Sequence, residues 1–292
     1  MPLFSVIIPT YNRAAKLRQA IESVLVQDVE DYELLIVDDG STDETATVVR
    51  AYTEDPRVRY HYQTNRQLNG ARNTGVRLAE GRYCCFLDDD DYFLDSHLGV
   101  LLDGIETGTE TPTIYRSGQL LEQAAKRKKL PLFPPNGDPL TEYWRMPVAP
   151  IGMAIPTATL RASPFDEDLI LLDDFAWFTD VLRYTALHQI NDHTAVSRAH
   201  DQQRSATYLT TELLQKNLAV IQACYQRSGV AERVPRHLLH KQLIHQYTHF
   251  ARQLNRNGQK RAALRVLGES LSPAGIRESM DWARTLGAIL LR

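Results

Sequence analysis

Neither glycine-rich phosphate loop, G-x-G-x-x-G or G-x-x-x-x-G-K-[ST], occurs in the 292 residues. Without such a backbone cradle for phosphate, a dinucleotide-dependent dehydrogenase and a Walker-type kinase are disfavoured. Cysteine is scarce: there are three, and Cys84 and Cys85 are neighbours inside an apolar stretch. They read as small core residues in a reducing compartment, not as a disulfide framework. No apolar run approaches the ~20 residues that cross a bilayer. Met1-Pro2-Leu3-Phe4 already opens a strand and lacks the charged and apolar regions of a leader peptide, so a cytoplasmic protein is expected. Charge of one sign is missing too, the net value being −3. With no basic, aromatic-interleaved patch, no nucleic-acid partner is expected.

What the chain does have is ordinary globular composition, 43% hydrophobic and 24% charged, enough for one large domain or a domain with an appendage. Leu3–Ile8, Tyr32–Val37, Val58–Tyr62 and Tyr83–Leu87 read as strands. Between them, Arg13–Gln27, a segment capped by Thr42 or Asp43 and running to Tyr52, and Asn69–Glu80 read as helices. Alternation at this spacing predicts a mostly parallel sheet with right-handed crossovers. Such a sheet gathers its functional loops at the carboxyl ends of its strands.

Those loops are Pro9-Thr10-Tyr11-Asn12, Asp38-Asp39-Gly40-Ser41 and Asp88–Asp91. In the last, four carboxylates follow a buried strand with no spacer. A solvated charge run is the bland alternative, but like charges this close repel, and a divalent cation relieves them readily. Asp39 is suited to accept from a base or ribose and Tyr11 to cover a base ring, while Asp38 serves as well to cap a turn. A nucleoside diphosphate bound without a phosphate loop needs the metal and a basic side chain. Arg72, opening the helix after Gly70, is the best placed.

Four stretches stand in order: SVIIPTYN at Ser5–Asn12, VDDGSTD at Val37–Asp43, GARNTG at Gly70–Gly75 and FLDDDD at Phe86–Asp91. Together they resemble the family 2 glycosyltransferases, inverting enzymes of the GT-A fold. The likeness is dense from Leu3 to about Asp95 and continues as scattered points to Ser205. It implies that Pro9, Tyr11 and Asp39 hold the nucleotide base. It further implies that Asp88 and Asp90 form an Asp-x-Asp pair, with Asp88 and Asp89 on the nucleotide side and Asp90 on the metal, Mn²⁺ or Mg²⁺. Because all four positions are aspartate, the register of the pair stays open, with Asp91 an alternative ligand.

Beyond Asp95, a helix to about Gly104 is followed by Thr111–Gly118 and Gln119–Lys126, which alternate like two antiparallel strands. Lys126–Lys129 reads as a solvated strand end or as an attractor of an anionic acceptor. Leu130–Pro150 is loop with a short helix near Leu140–Trp144. Asp173 and Asp174 begin a helix, where a carboxylate is most simply an N-terminal cap. They also follow a Phe-Asp-Glu-Asp run, Phe165–Asp168, as a Glu-Asp pair does in the family. That likeness makes Asp174 the general base and Asp173 its neighbour. It also suggests that His200, at the end of a strand from Thr194, reaches the metal; the alternative is a structural histidine.

From residue 207 the pattern is helical only, giving an expected GT-A catalytic domain over 1–206 and a helical region over 207–292. Within the first, residues 1–95 form the nucleotide-sugar half and 96–206 the acceptor half. Four histidines on one helix, His237, His240, His245 and His249, lack a carboxylate or cysteine to complete a metal site. The last helix, Met280–Arg292, has an apolar side that could pack on the tail, pair with another subunit or lie on the inner face of a membrane. The expected activity is transfer of a sugar from a nucleoside-diphosphate sugar to a sugar, lipid-linked or other hydroxyl acceptor in cell-surface glycan synthesis. The rivals are a nucleotidyltransferase that makes nucleotide sugars, and a non-catalytic binding module with a partner-recruiting tail. Asp39 is acceptor-only and matches the N3–H of uracil or thymine, so UDP or dTDP should bind more tightly than GDP or CDP in titration calorimetry. GDP binding about tenfold tighter than UDP, ~1.4 kcal/mol, would remove Asp39 from the base.

Overall fold

The computed structural model describes residues 1–108, 112–124, 126–199, 210–270 and 280–290. The chain divides into two compact units, Met1–Pro139 with Val148–His200, and Leu140–Pro147 with Asp201–Arg292.

In the first unit β1 (Phe4–Thr10), α1 (Ala14–Leu25), β2 (Tyr32–Asp38), α2 (Thr45–Arg50), β3 (Val58–Tyr62), α3 (Gln67–Leu78) and β4 (Tyr83–Phe86) follow in the expected alternation. β1 and β2 are buried at every position, which is why they read as continuous apolar runs. α1 covers one face of the sheet with Leu17, Ile21 and Val24, all inaccessible and each contributing about 1.5–3 kcal/mol by burial. These four strands are mutually parallel, with Thr10 opposite Asp38 and Phe4 opposite Tyr83. Cys84 and Cys85 lie in this core as free thiols, and burial pushes the Cys84 thiol up to about 12.

The second half of the unit continues with β5 (Tyr92–Phe93), α4 (His97–Glu106), β6 (Thr113–Gln123) and β7 (Lys126–Lys129), then α5 (Pro139–Arg145), which from Leu140 belongs to the second unit. It closes with β8 (Met153–Pro156), α6 (Thr157–Ala162), α7 (Asp173–Val181) and β9 (Ala186–Arg198). Among the described residues one sheet runs β3-β2-β1-β4-β8-β6-β9-β5, with β7 on β6. The expected pair of antiparallel strands over 111–126 is instead one strand, β6, with the return confined to β7. Gly118 marks an irregularity inside β6 and no turn; a Cβ there would lie 2.6 Å from the His193 ring, so glycine admits the ring and the strand runs on. β9 starts earlier than its apolar end suggests, because Ala186–Gln189 pair with Thr113–Arg116 through polar, partly exposed residues.

The second unit comprises α8 (Thr211–Gln226), α9 (Val230–Arg233), α10 (Arg236–Arg256), α11 (Lys260–Glu269) and α12 (Met280–Leu290). The Thr210 hydroxyl caps α8 by accepting from the Leu213 amide at 3.1 Å. Leu214, Phe250, Ala251, Leu267 and Ile289 share one core. Ile289 thus places the apolar side of α12 on the helical unit, the first of its three expected partners. α5 is built into this unit as well: the Thr141 hydroxyl donates to the Arg233 carbonyl at 2.9 Å and the Gln242 amide to the Trp144 carbonyl at 2.6 Å. Trp144 packs edge-on against Tyr225 at 5.7 Å. His245 and His249 stack obliquely at 6.3 Å, and no group of three metal-ligating side chains forms among the described residues. No helix among them is long and apolar enough to cross a membrane.

His97 gives this fold a measurable pH signature. Its ring is inaccessible, stacks on Phe93 at 3.8 Å and shares a hydrogen bond with the Thr194 hydroxyl at 2.7 Å. Burial drives its pKa down to about 3 from 6.5. Below pH 6.5 the unfolded chain therefore binds a proton that the native state refuses, so stability is lost as pH falls towards 3. Urea unfolding between pH 6.5 and 4 should lose about 1.4 kcal/mol per pH unit through this residue. His97→Asn should flatten the slope by that amount; an unchanged slope would place the proton elsewhere.

Candidate active site

Because β2, β1 and β4 are adjacent and parallel, the three acidic or polar loops meet at one edge of the sheet. The first two are stitched together: the Asn12 amide donates to Ser41 Oγ at 2.9 Å and Thr42 N donates to Asn12 Oδ1 at 2.8 Å. Asn12 takes a left-handed backbone (φ 52) to do this, as does Gly40 (φ 89), a conformation asparagine and glycine adopt readily. Pro9 is buried within β1 opposite Val37, and Tyr11 is exposed beyond the strand end. Asp38 accepts from Ser41 N at 2.8 Å and from the Tyr60 hydroxyl at 2.6 Å, so it braces the turn. Asp39 is buried, and its Oδ1 accepts from Gln63 Nε2 at 2.6 Å and Arg66 N at 2.8 Å. Burial raises its pKa, against the pull of these hydrogen bonds.

The four aspartates after β4 alternate in environment. Asp91 N closes a turn on the Asp88 carbonyl at 3.1 Å. Asp89 and Asp91 point inward: Asp89 accepts from the Thr10 hydroxyl at 2.8 Å, and Asp91 accepts from Arg198 N at 2.8 Å. Burial pushes the Asp89 carboxyl up to about 7, with Thr10 opposing and Asp90 adding to the rise; burial and the Asp88 charge push Asp91 up as well. Asp88 and Asp90 are the more open, with 41% and 18% of their side chains exposed. Asp90 pairs with Arg13 at 2.8 Å and Lys16 at 3.9 Å. Arg198 clasps the turn from β9, its Nε donating to the Asp90 carbonyl at 2.6 Å.

α7 brings the last two carboxylates to the same edge. Leu172, just before it, is left-handed (φ 61), a strained state for a leucine costing about 1–2 kcal/mol. The approach to α7 is tied to α3: Asn69 Nδ2 donates to the carbonyls of Asp166 at 2.8 Å and Leu169 at 3.0 Å. Asn73 exchanges two 2.9 Å hydrogen bonds with the Phe165 backbone. Phe165 in turn stacks on Trp177 at 5.2 Å. Arg72, expected to face a diphosphate, lies between the acidic groups: Nη1 donates to Asp174 Oδ1 at 2.8 Å and reaches Asp173 Oδ2 at 3.3 Å, and Nη2 is 3.5 Å from Asp88 Oδ1. Asp173 is 4% exposed and Asp174 26%.

Asp39, Asp88–Asp91, Arg72, Asp173 and Asp174 therefore share one region, with Tyr11 at its exposed margin; His200 lies outside the described residues. Thr10, Arg13, Gln63, Asn73 and Arg198 were not singled out from sequence. Arg13 had a signal, a cation directly after a candidate ligand loop, whereas Asn73 and Arg198 act on backbone far away in the chain. The donors present are carboxylate oxygens, the ligand type of hard divalent cations. Mg²⁺-like ions are commonly held by one or two carboxylates completed by substrate phosphates, and Asp90 with its neighbours fits that use.

The sequence profile of the family described as Glycosyl transferase family 2 matches residues 5–168, more than half of the chain. The chain belongs to that family. A GalNAc(5)-diNAcBac-PP-undecaprenol beta-1,3-glucosyltransferase of Campylobacter jejuni is 40% identical over 111 residues, 37% of this chain and 36% of that one. The chain spans only 15–17% of the length of three other curated relatives it matches. S. aureus TarS in complex with UDP-GlcNAc superposes with a TM-score of 0.68 at 20% identity, covering 99% of this chain and 81% of that one. Mannosyltransferase PcManGT from Pyrobaculum calidifontis, with GDP-Man and Mn²⁺, gives 0.60 at 19% identity, covering 99% and 80%. The architecture is thus the expected GT-A fold of α/β type.

The Asn73 clasp is testable by stability. Asn73→Ala leaves buried Phe165 backbone groups unpaired and should cost about 2–3 kcal/mol in urea unfolding. Arg66→Ala, which removes a half-exposed ion pair with Glu167, should cost about 0.5 kcal/mol. Equal losses would show that the loop before α7 does not depend on Asn73.

Proposed function

We propose that this protein transfers a sugar, with inversion, from a nucleoside-diphosphate sugar to an acceptor hydroxyl. The observation that carries the reading is Asp174: a part-exposed carboxylate, held by a buried arginine, at the edge where the nucleotide loops converge. It takes the proton of the acceptor hydroxyl as that oxygen attacks the anomeric carbon, and the bond to the diphosphate breaks with its electron pair on the leaving oxygen. One displacement inverts the carbon. Asp173, nearly inaccessible, lies beside it on the same guanidinium at 3.3 Å.

The donor assignment rests on Asp39, whose Oδ1 is taken by Gln63 and Arg66; Oδ2 is the atom assigned to the N3–H of uracil, with Tyr11 covering the ring. This favours a UDP- or dTDP-linked sugar, in line with the UDP-GlcNAc bound by TarS. Asp88 is assigned to the ribose side. Asp90, with Asp91 as the alternative, is assigned to Mn²⁺ or Mg²⁺, supported by the Mn²⁺ in the mannosyltransferase complex. A bound ion supplies positive charge to the departing diphosphate. The inward turn of Asp89 and Asp91 supports Asp88-x-Asp90 as the register of the pair. A lipid-linked acceptor is suggested by the undecaprenol-linked glycan named for the Campylobacter relative.

Asp174→Asn should leave nucleotide-sugar binding intact and slow transfer on the order of 10²- to 10⁴-fold. Asp90→Ala should lose both, and EDTA should weaken diphosphate binding far more than nucleoside binding. Transfer near the wild-type rate by Asp174→Asn would move the base to Asp173. Equal diphosphate affinity with and without EDTA would remove the metal.

A further inference from the structure

Building on the reading of Asp174 as the base, we propose that Arg72 is the residue that positions this base and keeps it ionised, acting on the carboxylates and not on the donor. The guanidinium is 2% exposed, flanked by the rings of Phe86 at 5.7 Å and Phe165 at 5.5 Å. It therefore presents no open edge to a diphosphate, and its two Nη groups are already directed at oxygens of Asp174, Asp173 and Asp88. A planar fork can serve the end of β4 and the start of α7 at once; an ammonium cannot. Arg72 thereby places the base and the nucleotide-side Asp88 in one frame, although they are far apart in sequence.

Charge decides the rest. Burial alone would make Arg72 less basic, but Asp174, Asp88 and Asp173 together hold its pKa above the ordinary arginine value. Interaction between charges is mutual, so the same guanidinium, 2.8 Å from Asp174 Oδ1, favours the charged form of that base. The charged groups that face Asp174 include Arg72 from α3, Asp173 from its own turn of helix, and Asp88 through the shared guanidinium. One cation thus serves three anions. Without it, Asp174 stands beside a like charge with this counter-charge gone, and takes up a proton at higher pH. A protonated Asp174 cannot accept from a hydroxyl.

The test follows the Asp174 carboxyl by ¹³C NMR in the full-length chain, alongside the pH dependence of sugar transfer. Arg72→Gln keeps an N–H donor and removes the charge; the Asp174 titration should move up by about one to three pH units, and the acid limb of the rate with it. Affinity for UDP, which Arg72 reaches only through Asp88, should fall far less than the rate. Arg72→Lys, which keeps the charge, should show a smaller upward move and a rate restored only in part. Adding Asp173→Asn to either variant removes the like charge and should bring the titration back down, a rescue that a merely structural role does not give. If Arg72→Gln proves insoluble, the lysine variants decide. An Asp174 titration unmoved by both substitutions, or UDP affinity falling as far as the rate, overturns the proposal. The NMR reading needs no turnover, so a wild-type protein that transfers no sugar would defeat the proposed function while the behaviour of Asp174 is still read directly.

Discussion

Repulsion between carboxylates is the constraint under which the first unit is built. Two charges about 4 Å apart interact by roughly 4 kcal/mol at a protein surface, and this edge of the sheet collects Asp38, Asp39, Asp88–Asp91, Asp173 and Asp174. Each is accommodated differently. Asp38 is bound by a phenol and an amide, Asp39 by an amide side chain and a backbone N–H. Arg13 and Lys16 offset Asp90. Asp89 is buried deeply enough to titrate near neutrality, Asp91 accepts from the Arg198 backbone, and Arg72 pairs with Asp88, Asp173 and Asp174. A site so dominated by acceptors is prepared for a ligand that brings donors or positive charge, and less so for a bare anion.

The sheet explains why the acids meet at all. Parallel pairing of β2, β1 and β4 aligns their carboxyl ends, and the helices between them return the chain to the opposite edge each time. α7 arrives from outside this repeat. Its position is imposed by α3, whose Asn69 and Asn73 grip the preceding backbone. The placement of Asp173 and Asp174 beside Asp88 is thus set by packing, before any ligand arrives.

Much of this was legible in the chain. Alternating apolar runs announced the parallel strands because burial on both faces leaves no room for polar residues, and Asp88–Asp91 announced the site because the run follows such a strand directly. The division of labour among the four aspartates was not legible, since it depends on which carboxylates meet Thr10 and Arg198, residues distant in sequence. Arg72 was noticed for its charge and its place at a helix start. Its three partners come from two other parts of the chain, and no spacing rule links them. β6 and β9 were misjudged for local reasons: a glycine that admits a histidine ring resembled a turn, and polar strand residues hid the start of β9.

The interruption of the first unit by Leu140–Pro147 has a consequence for synthesis. The chain leaves that unit, contributes α5, returns for β8 to β9, and only then makes the helices that receive α5. Trp144 must wait for Tyr225, and its carbonyl for Gln242. At ribosomal rates of roughly 5–20 residues per second, that delay is on the order of 4 to 20 seconds. During that interval the tryptophan-bearing segment is without the helices that cover it in the finished unit. Vectorial folding from the N-terminus can close the first unit first, but the second is completed by a piece delivered in advance.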